Sequence, residues 1–247
     1  MLSRGIDFCI TLLYWVWFIF GFLFIFSWRY VAALFSSDSE RTFQGLNSRF
    51  FQILLSIIGR TAPGQKICID NKVAAIRSSV IICNHLSYLD PLLLIALFPR
   101  HRTIVKPRFF LMPIFGQIIA TSGYLPGDGG GRFSRLMIHQ MDSMPKFLQA
   151  GGNLFVFPEG TRSRSGEIGT MQQGAIKIAR LLGAPIYLLQ LRNTEKLFPP
   201  GKFLFATRKK NRITLKVLQR LETDGASPPS ATQLMRKIEK AYRSAEP

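Results

Sequence analysis

Cysteine is scarce in this chain of 247 residues, and its placement excludes two classes of site. The three cysteines, Cys9, Cys68 and Cys83, lie in apolar stretches without the spacing of metal ligands. We therefore predict neither a disulfide framework nor a metal site, and a reducing compartment is the simpler assumption. Cys83 lies two residues before His85, but a small buried core residue is favoured over a nucleophile.

Acidic residues are also few. The chain has 14 Asp and Glu against 32 Lys and Arg, which gives a formal net charge of +18. Such a field attracts polyanions, meaning nucleic acid, anionic lipid surfaces or phosphorylated substrates. A hydrophobic content of 47% with 21 phenylalanines is unusual for a nucleic-acid binder. The composition therefore favours membrane lipids as partners, and no nucleic acid is expected.

Charged residues are absent from 8–26, which is dense in Leu, Ile, Phe and Trp. This stretch is long enough to cross the hydrocarbon of a bilayer or to lie embedded in it. A cleaved signal peptide is disfavoured because the apolar region is too long and Arg4 is the only early positive charge. Downstream arginines place the C-terminal side in the cytoplasm, so we predict association with the inner (cytoplasmic) membrane.

A second apolar stretch, 43–58, repeats at helical spacing. It fits a helix along the bilayer surface, a helix packed on the soluble core, or the second half of a re-entrant pair, and the pattern does not separate these. The turn residues of 61–65 then punctuate the chain. We predict membrane-anchoring helices in 1–60 and a globular domain in 61–247.

Strands and helices alternate in the remainder of the chain. Strands are predicted at 66–70, 79–83, 103–106, 153–157, 185–191, 202–207 and 213–218. Helices are predicted at 92–98, 133–150, 171–182 and 231–242. This order is typical of an α/β domain with a mostly parallel central sheet flanked by helices, and a late hairpin is expected near Lys209. In such a sheet, functional sites form at the carboxyl ends of the strands.

The first motif follows the strand predicted at 79–83, where the apolar run ends in Asn84 and His85. A helix start follows, since Pro91 suits a first helical turn and Asp90 lies in a sequence that resembles a capping box. Asp90 is close enough in the chain to accept a hydrogen bond from the imidazole of His85. The two side chains form a candidate general base with its orienting carboxylate, although a helix cap would also account for Asp90.

The second motif ends the strand predicted at 153–157 and runs Phe157-Pro158-Glu159-Gly160-Thr161-Arg162. Glycine permits close backbone approach there, and the guanidinium of Arg162 is a planar fork suited to phosphate. Taken alone, this segment would be an ordinary basic loop. If its strand neighbours the strand before His85, the two motifs meet at one edge of the sheet.

Together, Asn84-His85-x4-Asp90 and Phe157 to Arg162 resemble the glycerolipid acyltransferases, most closely the 1-acyl-sn-glycerol-3-phosphate acyltransferases, over roughly 66–191. The resemblance implies transfer of an acyl chain from acyl-CoA or acyl carrier protein to lysophosphatidate, giving phosphatidic acid, without a cofactor. It implies His85 and Asp90 as catalytic residues. The residues implied to bind substrate are Asn84, Lys106, Glu159, Gly160, Thr161 and Arg162.

One block departs from the family pattern, since Gly123 to Arg132 carries glycines where an arginine is expected and Arg132 or Arg135 would have to substitute. An acyltransferase for another lysolipid therefore remains an alternative. A non-catalytic basic module that binds membrane surfaces or nucleic acid is a second alternative, but it leaves both motifs unexplained. The chain has no Gly-x-Ser-x-Gly elbow, which favours direct transfer without an acyl-enzyme.

Overall fold

The computed structural model describes residues 2–127, 131–163, 168–223 and 229–245. The α-helices are α1 (Leu2–Val16), α2 (Ser27–Ala33), α3 (Ser39–Thr61), α4 (Leu89–Leu97), α5 (Phe115–Thr121), α6 (Ser134–Gln149), α7 (Gln173–Leu181), α8 (Thr194–Leu197) and α9 (Ala231–Ser244). The strands are β1 (Gln65–Ile69), β2 (Ser79–Cys83), β3 (His101–Val105), β4 (Leu125–Pro126), β5 (Asn153–Val156), β6 (Ile186–Arg192) and β7 (Asn211–Leu221).

In the described parts of the chain, seven strands form one sheet in the order β1-β7-β6-β2-β5-β3-β4. Neighbouring strands are parallel except β6 and β7, which confirms the predicted α/β fold. Strand β2 lies in the middle, between β6 and β5, and all five of its residues are buried. Its continuous apolar sequence follows from this position, because helices cover both faces of the sheet.

Two helical layers cover the sheet. Alternate residues of β2 point to opposite faces, so Val80 packs in the core formed with α6, α7 and α9. Ile81 packs on the other face against α4, and partly buried residues of α3 close this second core from outside. Helices α6, α7 and α9 therefore lie on one side of the sheet, and α4 and α3 on the other.

The predicted strand at 202–207 is wrong, and so is the hairpin near Lys209. The aromatic residues there pack on other aromatic rings, with Phe203 stacked on Trp15 and Phe205 on Phe198. The backbone N–H of Phe205 donates to the hydroxyl of Thr11 (3.0 Å) instead of to a neighbouring strand. This loop packs on the N-terminal helix. Together with α8, it connects β6 to its antiparallel partner β7 along the chain.

The N-terminal segment is one continuous helix in which α1 and α2 are joined by a π-helical stretch, Trp17–Phe26. Within the described ranges, one helix, Arg4–Ala33, is long and apolar enough to cross a membrane, and most of its apolar surface is unburied. Helix α3 packs on the globular domain, since Ser48 and Gln52 both donate to the carbonyl of Ala96 (3.1 and 2.9 Å). Of the three arrangements considered for the helix at 43–58, the structure shows the one in which it packs on the core of the globular domain.

A buried histidine beside this core makes stability depend on pH. His101 is fully buried, with Nδ1 2.6 Å from the carbonyl of Phe98 and Nε2 2.6 Å from the hydroxyl of Tyr124. Burial lowers the pKa of His101 from 6.5 to about 4. Only the unfolded chain binds this proton between those values, so the free energy of unfolding falls as pH drops through that window, by about 3 kcal/mol.

Denaturant unfolding in detergent at several pH values measures this loss. The His101→Gln variant should lack that share of the pH dependence, whatever its stability at neutral pH. Identical pH slopes for the two proteins would contradict the assignment.

Candidate active site

The side chain of Asn84 anchors the end of β2 by forming hydrogen bonds like those between neighbouring strands. The amide of Asn84 accepts a hydrogen bond from the backbone N–H of Leu191 (2.7 Å) and donates to the carbonyl of the same residue (2.9 Å). It thereby continues the pairing of β2 with β6 beyond the last strand residue, Cys83. The amide is buried and bonded to the main chain, so Asn84 anchors the end of β2, and its contact with substrate stays a prediction.

His85 and Asp90 form the hydrogen bond expected from their spacing. Nδ1 of His85 lies 2.9 Å from Oδ2 of Asp90, whose side chain is fully buried. The same Oδ2 accepts the backbone N–H groups of Leu86 (2.5 Å) and Ser87 (2.7 Å), and Oδ1 accepts the hydroxyl of Thr194 (2.5 Å). Since a carboxylate oxygen with these donors must accept from His85, Nδ1 carries the proton and Nε2 carries the free lone pair.

The imidazole of His85 is also held by an aromatic ring from the second motif. It stacks on Phe157 with 4.4 Å between ring centroids and 27° between planes. Its side chain is 16% exposed, so one edge remains accessible. Asp90 and Phe157 together fix the ring while Nε2 faces away from Asp90, which is the geometry of a general base.

Glu159 joins the two motifs through the main chain. Its Oε1 accepts the backbone N–H of His85 (2.8 Å), and its Oε2 accepts that of Gly169 (3.0 Å). This contact exists because β5 is the parallel neighbour of β2, so both motifs leave the same edge of the sheet. Burial raises the pKa of this carboxyl group. Both carboxylate oxygens of Glu159 thus accept main-chain N–H groups, and the side chain holds the backbone of His85 next to the loop that contains Gly169.

Three backbone N–H groups close to His85 already have hydrogen-bond partners. Those of Leu86 and Ser87, at the helix start, are on Asp90. That of Gly160 donates to the carbonyl of Phe157 (3.1 Å) in a turn where Gly160 has φ 64°. The left-handed backbone accounts for glycine at this position, and none of these three N–H groups is left to stabilise an oxyanion in this arrangement.

Arg162 lies over a tyrosine of the first motif. Its Cζ is 3.4 Å from the ring centroid of Tyr88, and its Nη1 is buried without a hydrogen-bond partner among the described residues. The ring supports the flat guanidinium by a cation–π contact. The N–H groups of Nη1 therefore have no acceptor among the described residues. Sequence reasoning assigned no role to Tyr88, although it is three residues from His85.

The other expected substrate-binding residues are more exposed. Thr161 and Gly160 are exposed beside Arg162. Lys106 is exposed directly after β3, which is separated from β2 by β5, or by about 10 Å at the usual strand spacing. The carboxyl ends of β2, β5 and β3 thus present His85, Arg162 and Lys106 along one edge. Residues 128–130 of the glycine-rich block and 164–167 lie outside the described residues.

Comparison with known proteins assigns this arrangement to a family. A family model described as acyltransferase matches residues 66–192, just over half of the chain. The chain is 31% identical over 122 residues to 1-acyl-sn-glycerol-3-phosphate acyltransferase BAT2, chloroplastic, of Brassica napus, and this covers 49% of the chain and 35% of that protein. It is 28% identical over 167 residues to the 1-acyl-sn-glycerol-3-phosphate acyltransferase of Helicobacter pylori, covering 67% and 68%.

A solved structure shares the fold over nearly the whole chain. The crystal structure of the 1-acyl-sn-glycerophosphate (LPA) acyltransferase PlsC from Thermotoga maritima superposes with a TM-score of 0.74, covering 99% of this chain and 97% of that one. At 18% identity this likeness concerns the fold alone. The chain spans only 35% to 37% of the length of the Brassica and Arabidopsis relatives, so the likeness to them is confined to the shared domain.

Proposed function

Because the chain belongs to the acyltransferase family, we propose that it transfers an acyl chain from a thioester to the free hydroxyl of 1-acylglycerol-3-phosphate, giving phosphatidic acid. The observation that carries the proposal is the convergence of two groups at one edge of the sheet. One is the buried Asp90 carboxylate with the His85 imidazole at 2.9 Å, and the other is the guanidinium of Arg162, whose Nη1 has no hydrogen-bond partner among the residues that the structure describes. A base beside a phosphate-binding fork suits an acceptor that carries a hydroxyl and a phosphate.

In the proposed mechanism, Nε2 of His85 takes the proton of the acceptor hydroxyl. Asp90 holds the tautomer through Nδ1 and stabilises the imidazolium that forms. The alkoxide attacks the thioester carbonyl, the tetrahedral intermediate expels the thiolate as the carbon–sulfur bond breaks, and the imidazolium returns the proton to sulfur. General-base help contributes on the order of 10² to 10⁴ in rate, so binding and charge stabilisation must supply the rest.

Direct transfer, without an acyl-enzyme, is supported by the state of Cys83. This thiol, two residues before His85, is fully buried, and burial raises its pKa well above 9.0. A thiol that is neutral and shielded is a poor nucleophile. The proposal therefore needs no covalent intermediate.

The remaining parts of the proposal concern substrates and location. Arg162 and Lys106 bind the acceptor phosphate, and Thr161 and Gly160 line its approach, while Asn84 and Glu159 hold the main chain that carries His85. The donor is acyl-CoA or acyl carrier protein, with no further cofactor. Helices within 1–60 anchor the catalytic domain, 61–247, to the cytoplasmic side of the inner membrane, where both long-chain substrates reside.

Assays of the purified protein against several lysolipids, with acyl-CoA and with acyl carrier protein as donor, test the proposal. We expect lysophosphatidate to be the best acceptor and Arg162→Leu to reduce its use far more than that of monoacylglycerol. If a phosphate-free acceptor or a larger headgroup outperformed lysophosphatidate, another lysolipid would be the acceptor. No transfer to any acceptor would overturn the proposal.

The stack between Arg162 and Tyr88 predicts a specific kinetic defect. A cation–π contact of about 0.5 to 2 kcal/mol positions the guanidinium, so Tyr88→Leu should raise the KM for lysophosphatidate by roughly tenfold, with kcat nearly unchanged. Tyr88→Phe is the matched control, because it keeps the ring and should restore the KM. An equal loss in kcat, or an equal effect on monoacylglycerol, would contradict this role.

A further inference from the structure

A short segment after β3 exposes four apolar side chains that no part of the proposed mechanism uses. Leu111, Met112, Ile114 and Phe115 are 55%, 48%, 63% and 40% exposed. We call these four residues the apolar loop. They follow Lys106 along the chain, at the edge of the sheet where the carboxyl ends of β2, β5 and β3 meet. Exposed clusters of this kind mark interaction surfaces.

The apolar loop is rigidly built. The backbone N–H of Gly116 donates to the carbonyl of Met112 (2.8 Å), and a Cβ on Gly116 would lie 2.3 Å from the carbonyl oxygen of Phe110. Ile114 has φ 63°, which strains a β-branched residue and persists only where the surroundings enforce it. The strained backbone holds the large apolar side chain of Ile114 exposed to solvent, although a glycine at this position would remove the strain.

The apolar loop is joined to the N-terminal helix through α5. Phe115 and Ile118 lie one turn apart on one face of α5. Ile118 is buried in a cluster with Phe26 and Tyr30 of the N-terminal helix and with residues of α3. The helix that begins at Phe115 is therefore packed, through Ile118, against the long N-terminal helix.

The charged residues beside the apolar loop indicate what kind of surface the loop contacts. Lys106 and Arg108 are exposed next to it, and Arg132 is exposed near Phe133, whose ring contacts Phe110 (5.4 Å between centroids). Basic side chains that border exposed apolar ones fit an interface with an apolar interior and an anionic rim. An anionic phospholipid bilayer has this character.

We propose that the apolar loop inserts into the interface of an anionic phospholipid bilayer as a second membrane contact, separate from the N-terminal helix. Two contacts fix the orientation of the domain relative to the bilayer, whereas the N-terminal helix alone would let the domain rotate about the axis of that helix. The bilayer then lies against the edge of the sheet that carries His85, and a lysolipid reaches the site from the membrane plane. The contact does not depend on which lysolipid is the acceptor.

Site-specific labelling of the full chain tests the proposal. Cys9 and Cys68 are replaced by serine, and buried Cys83 does not react. A nitrobenzoxadiazole label is placed at Leu111→Cys or at the matched control Leu181→Cys, which is an exposed leucine on α7, across the sheet from α3. Each protein is reconstituted in vesicles of phosphatidylcholine and phosphatidylglycerol with or without doxyl-labelled lipid.

We expect blue-shifted emission and quenching by doxyl lipid at position 111 and neither at position 181. Equal behaviour at the two positions would overturn the proposal, and so would a shift at 111 without lipid quenching, which would indicate a protein partner. The measurement needs no turnover, so a failure of acyl transfer leaves it interpretable.

A kinetic arm uses the same pair of leucines. Leu111→Asp should slow acylation of vesicle-embedded lysophosphatidate severalfold while leaving the rate in detergent micelles unchanged, and Leu181→Asp should change neither. A loss of rate in micelles as well would mean that the loop serves folding or catalysis, and the proposal would fall.

Discussion

Replacing His85 with alanine is expected to lower the rate of acyl transfer by about a thousandfold, within the range that a general base contributes. The reason is the geometry around the ring. Asp90 holds Nδ1 at 2.9 Å, Phe157 stacks on one face, and the free Nε2 is left for the acceptor hydroxyl. Initial rates with saturating lysophosphatidate and acyl-CoA measure the loss.

Two controls separate this loss from loss of structure or of membrane binding. Flotation with vesicles should be unchanged in His85→Ala, because the substitution alters neither the N-terminal helix nor the apolar loop. Cys83→Ala is the matched control on β2, since this thiol is buried and should be dispensable. Retained transfer in His85→Ala would remove the base from the mechanism, and a trapped acyl-enzyme would replace direct transfer altogether.

The parts of the site that the sequence predicted are local. His85 and Asp90 are five residues apart across a strand end and a helix start, so the pattern of β2 and α4 already sets their distance. The position of the second motif could be anticipated as well, because both motifs end parallel strands. The sequence could not show that β5 is the immediate neighbour of β2.

The parts that escaped prediction depend on contacts between distant residues. Glu159 bonds the main chain of His85 across 74 residues, and Asn84 bonds Leu191 across 107. From the sequence alone, such carboxylate and amide groups are interpreted as substrate ligands. Their actual partners are main-chain groups, which every residue has, so no sequence pattern marks them. The stack of Arg162 on Tyr88 is also a contact between residues distant in the chain, and no sequence pattern predicts it. Its only signal was an aromatic residue inside the first motif.

The apolar run at 203–206 was wrongly predicted as part of a strand for a related reason. Such a run predicts that its residues pack on other parts of the protein, but it does not say whether the partner is a strand. Here the aromatic residues of the loop pack on Trp15 and Phe198. A segment predicted as part of the sheet instead ties the N-terminal helix to the domain.

The second large effect is expected for Asp90→Asn, and it isolates charge from geometry. Oδ2 of Asp90 accepts three N–H groups and Oδ1 accepts the hydroxyl of Thr194. An asparagine can place its amide oxygen on the three N–H groups and donate its amide to the threonine oxygen, which also accepts. The free energy of unfolding should therefore change by only about 1 kcal/mol.

The rate should nevertheless fall by about 10² to 10³ in Asp90→Asn, because a neutral amide does not stabilise the imidazolium that forms on proton transfer. Asp90→Ala removes the acceptors as well, so it should match this loss and also destabilise the fold by about 3 kcal/mol, since buried N–H groups lose their partners. Thr194→Val keeps the carboxylate charge and removes one donor, and roughly a tenfold loss is expected. Denaturant unfolding and initial rates of the three variants separate these effects. If Thr194→Val lost as much activity as Asp90→Asn while its fold stayed stable, the hydroxyl contact rather than the charge would be the essential feature of Asp90.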